Sequence, residues 1–247
     1  MRSYREETDH FSICAASDRG SVKRNNEDYF GIFRPEKEQL LNRKGVLIAV
    51  ADGMGGLFRG ERASRGMIDA LGELYFGYQG DNSAETLNAA FSEGNRRVFN
   101  RVGEGKEVTA GTTCTAAVLF PEYFHIVHVG DSRAYLLRDG RISQLTEDHS
   151  LEKKVYNADR DLSEGRKRTV MTRSVGVREE VETDILDEFS CLKGDRIILC
   201  SDGLFSMITD SRIAELAVSE SGCLELIRAA KKAGGRDNIT VIIAYRI

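Results

Sequence analysis

The 247-residue chain has only 2 prolines and no basic surplus, with 35 Lys and Arg against 39 Asp and Glu and a formal charge of −4. So few prolines, with 24 glycines in no repeat period, exclude a collagen-like chain and Pro-rich disorder. The missing cationic excess argues against a dedicated nucleic-acid binder, whose affinity comes largely from Lys and Arg on phosphates. No run reaches the roughly 18 consecutive apolar residues of a membrane span. The N-terminal MRSYREETDHFSICAAS is charged where a secretory leader needs an apolar stretch. There is no CxxC pair. The five scattered cysteines (Cys14, Cys114, Cys191, Cys200 and Cys223) are odd in number, so reduced cytosolic thiols are expected, three of them as small apolar residues in strand-like runs. A cytoplasmic chain follows from these absences.

Catalytic signatures are missing as well. GxSxG is absent, and the four histidines (His10, His125, His128 and His149) have no triad context; His125 and His128 read as strand-face residues. GERASRG at 60–66 lacks the GxxxxGK[ST] order of a nucleotide-binding loop.

What is present is 41% hydrophobic, enough to bury a substantial core. β-like runs cover 11–16, 29–33, 46–51, 114–120, 123–129, 134–137, 181–189, 196–200 and 239–245. Helical spacing places Ala63, Met67, Leu71 and Leu74 on one face, and Leu87, Phe91, Val98 and Val102 on another, with Ser83 as an N-cap. Further helices are expected over 213–218 and 224–233. Links as short as Arg138-Asp139-Gly140 make sequential strands antiparallel, because a parallel return needs a crossover of a dozen or more residues. The polar stretch 152–168 reads as a solvated loop or short helix, or as a flap beside a site. The pattern predicts one α+β domain over 1–247, with its core over about 9–246.

Aspartates recur where a strand yields to a turn: Asp52 before Gly-Met-Gly-Gly, Asp131 in Gly-Asp-Ser-Arg, Asp202 before Gly203, and Asp237 in Gly-Gly-Arg-Asp-Asn. One Asp-Gly is ordinary turn chemistry. Four acids at the ends of buried runs are costly unless paired or bound to metal, and such oxygen donors suit Mg²⁺ or Mn²⁺.

In order, the chain shows SDRGSVKRNNED (17–28), VADGMGGLFRGERAS (50–64), GTTCTAA (111–117), HVGDSRAYLLRDG (128–140), LTEDHS (145–150), LCSDGL (199–204) and GGRDNIT (234–240). With these seven pieces it closely resembles the metal-dependent protein Ser/Thr phosphatases, the PPM or type 2C family, in their bacterial form. The resemblance implies two antiparallel sheets face to face, with a helix pair on each outer side. It implies two Mn²⁺ or Mg²⁺ ions, with a third and weaker one. Asp52 would bridge the first two, aided by the Gly53 carbonyl; Asp202 and Asp237 would hold the first metal. Glu27 and Asp28 would act near the second, through bound waters, and Asp131 would join Asp202 at the third. A water bridging two cations would attack phosphorus in line. The resemblance also implies phosphoprotein substrates, a bacterial Ser/Thr kinase as opponent, a monomer, and no nucleic-acid or membrane partner. Two divalent ions would offset the formal charge of −4.

Several positions depart from the family pattern. Its phosphate-gripping Arg is Lys23 here, beside Arg24, and a lysine offers a point charge rather than a fork. Met54 replaces the histidine of eukaryotic members and Leu57 that of many bacterial ones, which leaves a metal-bound water near Asp131 as the general acid. The segment 151–173 corresponds to the family's flap, basic at Arg166, Lys167 and Arg168. Two other readings stand beside the protein phosphatase: a regulatory module of the same fold with weak turnover, and a two-metal hydrolase of small phosphoesters.

Overall fold

The computed structural model describes residues 1–55, 59–80, 83–102, 110–155 and 166–247. Its strands begin with β1 (Arg2–Glu7), β2 (Phe11–Asp18), β3 (Asp28–Phe33), β4 (Val46–Gly55), β5 (Ala110–Thr112), β6 (Cys114–Leu119) and β7 (Tyr123–Val129). They continue with β8 (Arg133–Arg138), β9 (Arg141–Gln144), β10 (Ser150–Val155), β11 (Arg166–Met171), β12 (Asp184–Ser190), β13 (Arg196–Cys200) and β14 (Ile239–Arg246). The helices are α1 (Glu38–Lys44), α2 (Arg59–Gly77), α3 (Ser83–Val102), α4 (Asp202–Phe205), α5 (Asp210–Ala217) and α6 (Gly222–Lys232).

Two antiparallel sheets result, ordered β1-β2-β14-β13-β8-β9 and β12-β7-β6-β4-β3, with β5 on the end of β4. Strand alternation explains why they stack. Ile13 and Ala15 of β2 and Ile48 and Val50 of β4 meet in one core between the sheets. The opposite faces are apolar too: Leu47, Ala49 and Ala51 pack on Met67, Leu71 and Phe91 of α2 and α3. Ile198, Cys200, Val241 and Ile243 pack on Leu204, Ile213, Leu226 and Ile227 of α4 to α6. A sheet apolar on both faces must be covered twice, and the chain forms the expected four-layer αββα sandwich. Among the described residues, no helix is long and apolar enough to cross a membrane.

Three expectations change. Cys14 of β2 and Cys223 of α6 form a disulfide, with Cα atoms 6.3 Å apart, while Cys114, Cys191 and Cys200 remain free and buried. The pairing joins residues 209 apart in sequence. It arises because Cys14 faces α6, as the alternation of β2 requires, and neither cysteine count nor spacing reveals that. Within 152–168, residues up to Val155 and from Arg166 onward form an antiparallel ladder, β10 against β11, rather than loop or helix. Residues 156–165 and the side chains of Arg166, Lys167 and Arg168 lie outside what is described, as does Leu57. Ser83 is the first residue of α3 rather than a flanking cap.

Candidate metal centre

The acids gather at one end of the sandwich because four strand ends and one inter-sheet turn lie there. Antiparallel register sets Asp28, at the start of β3, directly opposite Asp52 in β4. Asp202 follows the last residues of β13, and Asp237 precedes β14, the strand paired with it. Asp131 lies in the turn that carries the chain from β7 in one sheet to β8 in the other.

Burial, followed by the fields of Asp28, Asp202, Asp237 and Asp131, pushes Asp52 well above the usual carboxylate range. Burial and then Asp131, Asp237 and Asp28 push Asp202 up to about 7. Burial pushes Asp28 up to about 6, against the hydrogen bonds it accepts from Ser201 and Thr240. Asp131 is raised by burial and then by Asp148. Glu27 is raised by burial despite the opposing charge of Lys23. The common cause is that carboxylates crowded in a low-dielectric pocket cannot all ionise without cations.

The donor set fits hard divalent metals. Asp28 Oδ2 accepts from Ser201 Oγ and Thr240 Oγ1, each at 2.7 Å. Its Oδ1, like Asp202 Oδ1, is buried with no hydrogen-bond partner among the described residues. Two orphaned carboxylate oxygens beside a raised Asp52 are the form an oxygen-ligated cation site takes. Gly53 adds a cradle only glycine fits, since a Cβ there would lie 2.3 Å from the Gly60 carbonyl oxygen and 2.6 Å from that of Glu27. Among the described residues, no three acidic, imidazole or thiolate side chains close into a ready-made metal cage.

Lys23 Nζ lies 2.6 Å from Asp237 Oδ1. Desolvation lowers the Lys23 pKa, but Asp237, Asp52 and Glu27 outweigh it and hold the ammonium above its usual value. Arg24 is exposed and forms no ion pair among the described residues. Met54 lies in β4 opposite Gly111 of β5.

A second set of polar residues, not singled out in the sequence, holds the acids in place. Asn238 is buried; its Oδ1 accepts from the Glu27 N–H (2.8 Å), and its Nδ2 donates to the carbonyls of Arg19 (2.9 Å) and Asn25 (2.8 Å). It therefore fastens the loop bearing Lys23 and Glu27 to the start of β14. Thr113 Oγ1 accepts from the Asp52 N–H at 2.9 Å, and the Thr113 N–H donates to the Asp52 carbonyl at 2.9 Å. The Asp131 turn is tied to the segment before β10: the Gly130 N–H donates to His149 Nδ1 (3.1 Å), and the His149 N–H donates to the Gly130 carbonyl (2.7 Å). Because Nδ1 accepts, His149 Nε2 carries the proton and donates to Asp184 Oδ2 at 2.9 Å. Arg133 forks onto Asp148, with Nε and Nη2 contacts of 2.9 and 2.7 Å, and stacks 3.7 Å over Phe205. His128, expected on a strand face, is fully buried, and burial with His149 alongside lowers it to about 4. Ser201, Asn238 and His149 adjoin Asp202, Asp237 and Asp148 in the sequence, but that adjacency does not reveal what each side chain holds, and Thr113 has no acid next to it.

The model of the family described as Protein phosphatase 2C matches residues 20–234. The serine/threonine protein phosphatase PstP of Mycobacterium tuberculosis is 36% identical over 242 residues, covering 94% of this chain and 44% of PstP. The present chain thus spans less than half the length of that relative. The serine/threonine phosphatase stp of Listeria innocua is 31% identical over 243 residues, covering 93% of this chain and 94% of stp. Among solved structures, the catalytic domain of PstP in complex with two manganese ions superposes with a TM-score of 0.76 at 32% identity, covering 96% of this chain and 99% of that one. The PPM Ser-Thr phosphatase MsPP of Mycobacterium smegmatis, in complex with cacodylate, gives 0.76 at 30% identity, with 95% and 97% coverage. Matched along most of its length by the family model and by a relative of its own size, the chain belongs to the protein phosphatase 2C family.

Proposed function

We propose that this chain is a metal-dependent protein phosphatase acting on phosphoserine and phosphothreonine, as one domain over 1–247. The observation that carries the reading is the end-of-sandwich cluster of Asp28, Asp52, Asp131, Asp202 and Asp237, with two buried carboxylate oxygens left without partners among the described residues. Asp52, the Gly53 carbonyl, Asp202 and Asp237 would hold the two ions of the PstP type, with Glu27 and Asp28 beside the second and Asp131 and Asp202 at a weaker third. Bound there, Mn²⁺ or Mg²⁺ supplies the charge that acidifies water and offsets the negative phosphoryl oxygens.

The protein's own groups do the rest. Ser201 and Thr240 fix one oxygen of Asp28, which leaves the other for a ligand. Asn238 and Thr113 hold the loops bearing Glu27 and Asp52. Lys23 places a cation at the rim, where it meets the substrate phosphate, with Arg24 next to it in the chain. The phosphoproteins expected are those of a bacterial Ser/Thr kinase, met in the cytoplasm by a monomeric enzyme.

The test is phosphate release from a phosphothreonine peptide and from p-nitrophenyl phosphate with Mn²⁺. Wild type should turn over both, and Asp52→Asn should lose at least about 10²–10³-fold, the scale of removing a central electrostatic group. A wild type that binds the peptide without turnover would favour the regulatory-module reading. Preference for nucleotide phosphates over the peptide would favour a small-phosphoester hydrolase.

A further inference from the structure

A cavity of about 570 Å³ adjoins the acidic centre, walled in part by Arg2, Asp18, Arg19, Ser21 and Lys231. One strip of chain separates the two. Gly20 packs so closely on Asp237 that a Cβ would lie 2.1 Å from the Asp237 carbonyl oxygen, and the Ser21 N–H donates to the Gly235 carbonyl at 2.8 Å.

The charge of this cavity is opposite to that of the metal centre. Its acid, Asp18, is already satisfied, accepting from Lys231 Nζ at 2.8 Å and from the Gly20 N–H at 3.0 Å. Arg2 stacks its guanidinium over Tyr29 and Phe30, with centroids at 4.9 and 4.6 Å, which engages its face and leaves the N–H edge available. Arg19 is exposed and makes no ion pair among the described residues, while Asn238 fixes its main-chain carbonyl. Three cations around one paired acid, in a chain of formal charge −4, favour an anion.

We propose that this cavity is a second anion subsite, binding the carboxylate or phosphate oxygens of another acidic residue in the substrate protein. The inference rests on the phosphatase reading above and specifies its substrate class. Ser21 and Lys23 are two residues apart, at most about 7 Å of chain. A substrate with its phosphoresidue at Lys23 can therefore reach the cavity with a few extended residues of about 3.3 Å each. Arg2 and Arg19 supply the planar N–H forks that carboxylate and phosphate both accept.

The test uses the full chain with Mn²⁺ and a set of phosphothreonine peptides. One peptide has neutral flanks, others carry Glu walked through the two to four positions on either side, and one carries a non-hydrolysable phosphonate analogue of phosphoserine at the best of these. Wild type should favour the best acidic peptide by about fivefold in kcat/KM, through KM, the scale of one partly exposed charge contact. Arg19→Glu should remove that preference and leave the neutral peptide and p-nitrophenyl phosphate unchanged, and Arg2→Ala should reduce it. A larger gain with the phosphonate than with Glu assigns the subsite to phosphate, and the reverse to carboxylate. No favoured acidic position in wild type, or an equal loss on every substrate in Arg19→Glu, would overturn the subsite. No turnover of p-nitrophenyl phosphate by wild type would instead sink the phosphatase reading on which it rests.

Discussion

Lys23 faces two demands. Its ammonium sits 2.6 Å from Asp237, and the proposed function has it meet the substrate phosphate as well. A point charge can serve both by a small swing of a flexible stem, which a planar guanidinium fork cannot do as freely. Lys23→Ala should raise KM for the phosphothreonine peptide by about 3- to 10-fold with kcat little changed, as expected for losing one partly exposed charge contact. Lys23→Arg should restore most of it, and unchanged KM in Lys23→Ala would remove Lys23 from phosphate binding. Asn238 acts one step further back, through the loop that carries Lys23 and Glu27. Asn238→Ala leaves the Glu27 N–H and two carbonyls without partners, at a cost of about 1–3 kcal/mol for each buried group that water fails to reach. Displacement of the loop should also lower kcat/KM by about 10- to 100-fold. A variant that is destabilised but fully active would confine Asn238 to folding. At this scale the sequence marked the acids through their motifs. It did not mark Asn238 or Thr113, because a side-chain amide or hydroxyl beside a ligand has no signature until its partners, up to 219 residues away, are known.

Among the elements, the turn between β7 and β8 is held by residues outside it. His149 grips Gly130 and is held by Asp184 at the start of β12, while Arg173 donates to Asp184 at 2.6 Å. Partial burial pushes Asp184 up, but the hydrogen bonds from His149 and Arg173 outweigh it, and its carboxyl titrates below its usual range. A carboxyl depressed in the folded state contributes stability that is present above its unfolded pKa and lost as pH falls through the folded one. Thermal melts of wild type should therefore drop as pH falls below about 4, the ordinary Asp value, and Asp184→Asn should show a shallower drop over the same range. Identical slopes would mean that the pair contributes nothing to acid stability. The elements legible in the sequence were those with an apolar face, such as β2, β4, α2 and α6. The strand β1 was missed because its residues are almost all exposed and it adds to β2 as a charged edge, Arg2 opposite Ser17, with no alternation to read. The β10–β11 ladder was missed for a similar reason, since Glu152, Lys153 and Lys154 face Thr169, Arg168 and Lys167 in its register.

For the molecule as a whole, function follows from stacking two sheets so that their ends coincide. Each sheet alone brings together two acids: Asp28 with Asp52 in one, Asp202 with Asp237 in the other. The inter-sheet core of Ile13, Ile48, Val50, Leu199 and Ile242 brings these pairs together, with Asp131 on the turn that joins the sheets. The four-layer architecture was legible through the resemblance, because seven motifs in order fix a topology that hydrophobic period alone leaves open. The Cys14–Cys223 link was not legible, since it depends on which face of β2 meets α6. The central claim is that the coincident ends form a two-metal hydrolytic centre. It is tested most directly by anomalous diffraction at the manganese edge from crystals grown with Mn²⁺. Two strong peaks are expected among Asp52, Asp202, Asp237 and the Gly53 carbonyl, with Lys23 released from Asp237. Density in which that pocket binds no manganese and Lys23 stays on Asp237 would contradict it.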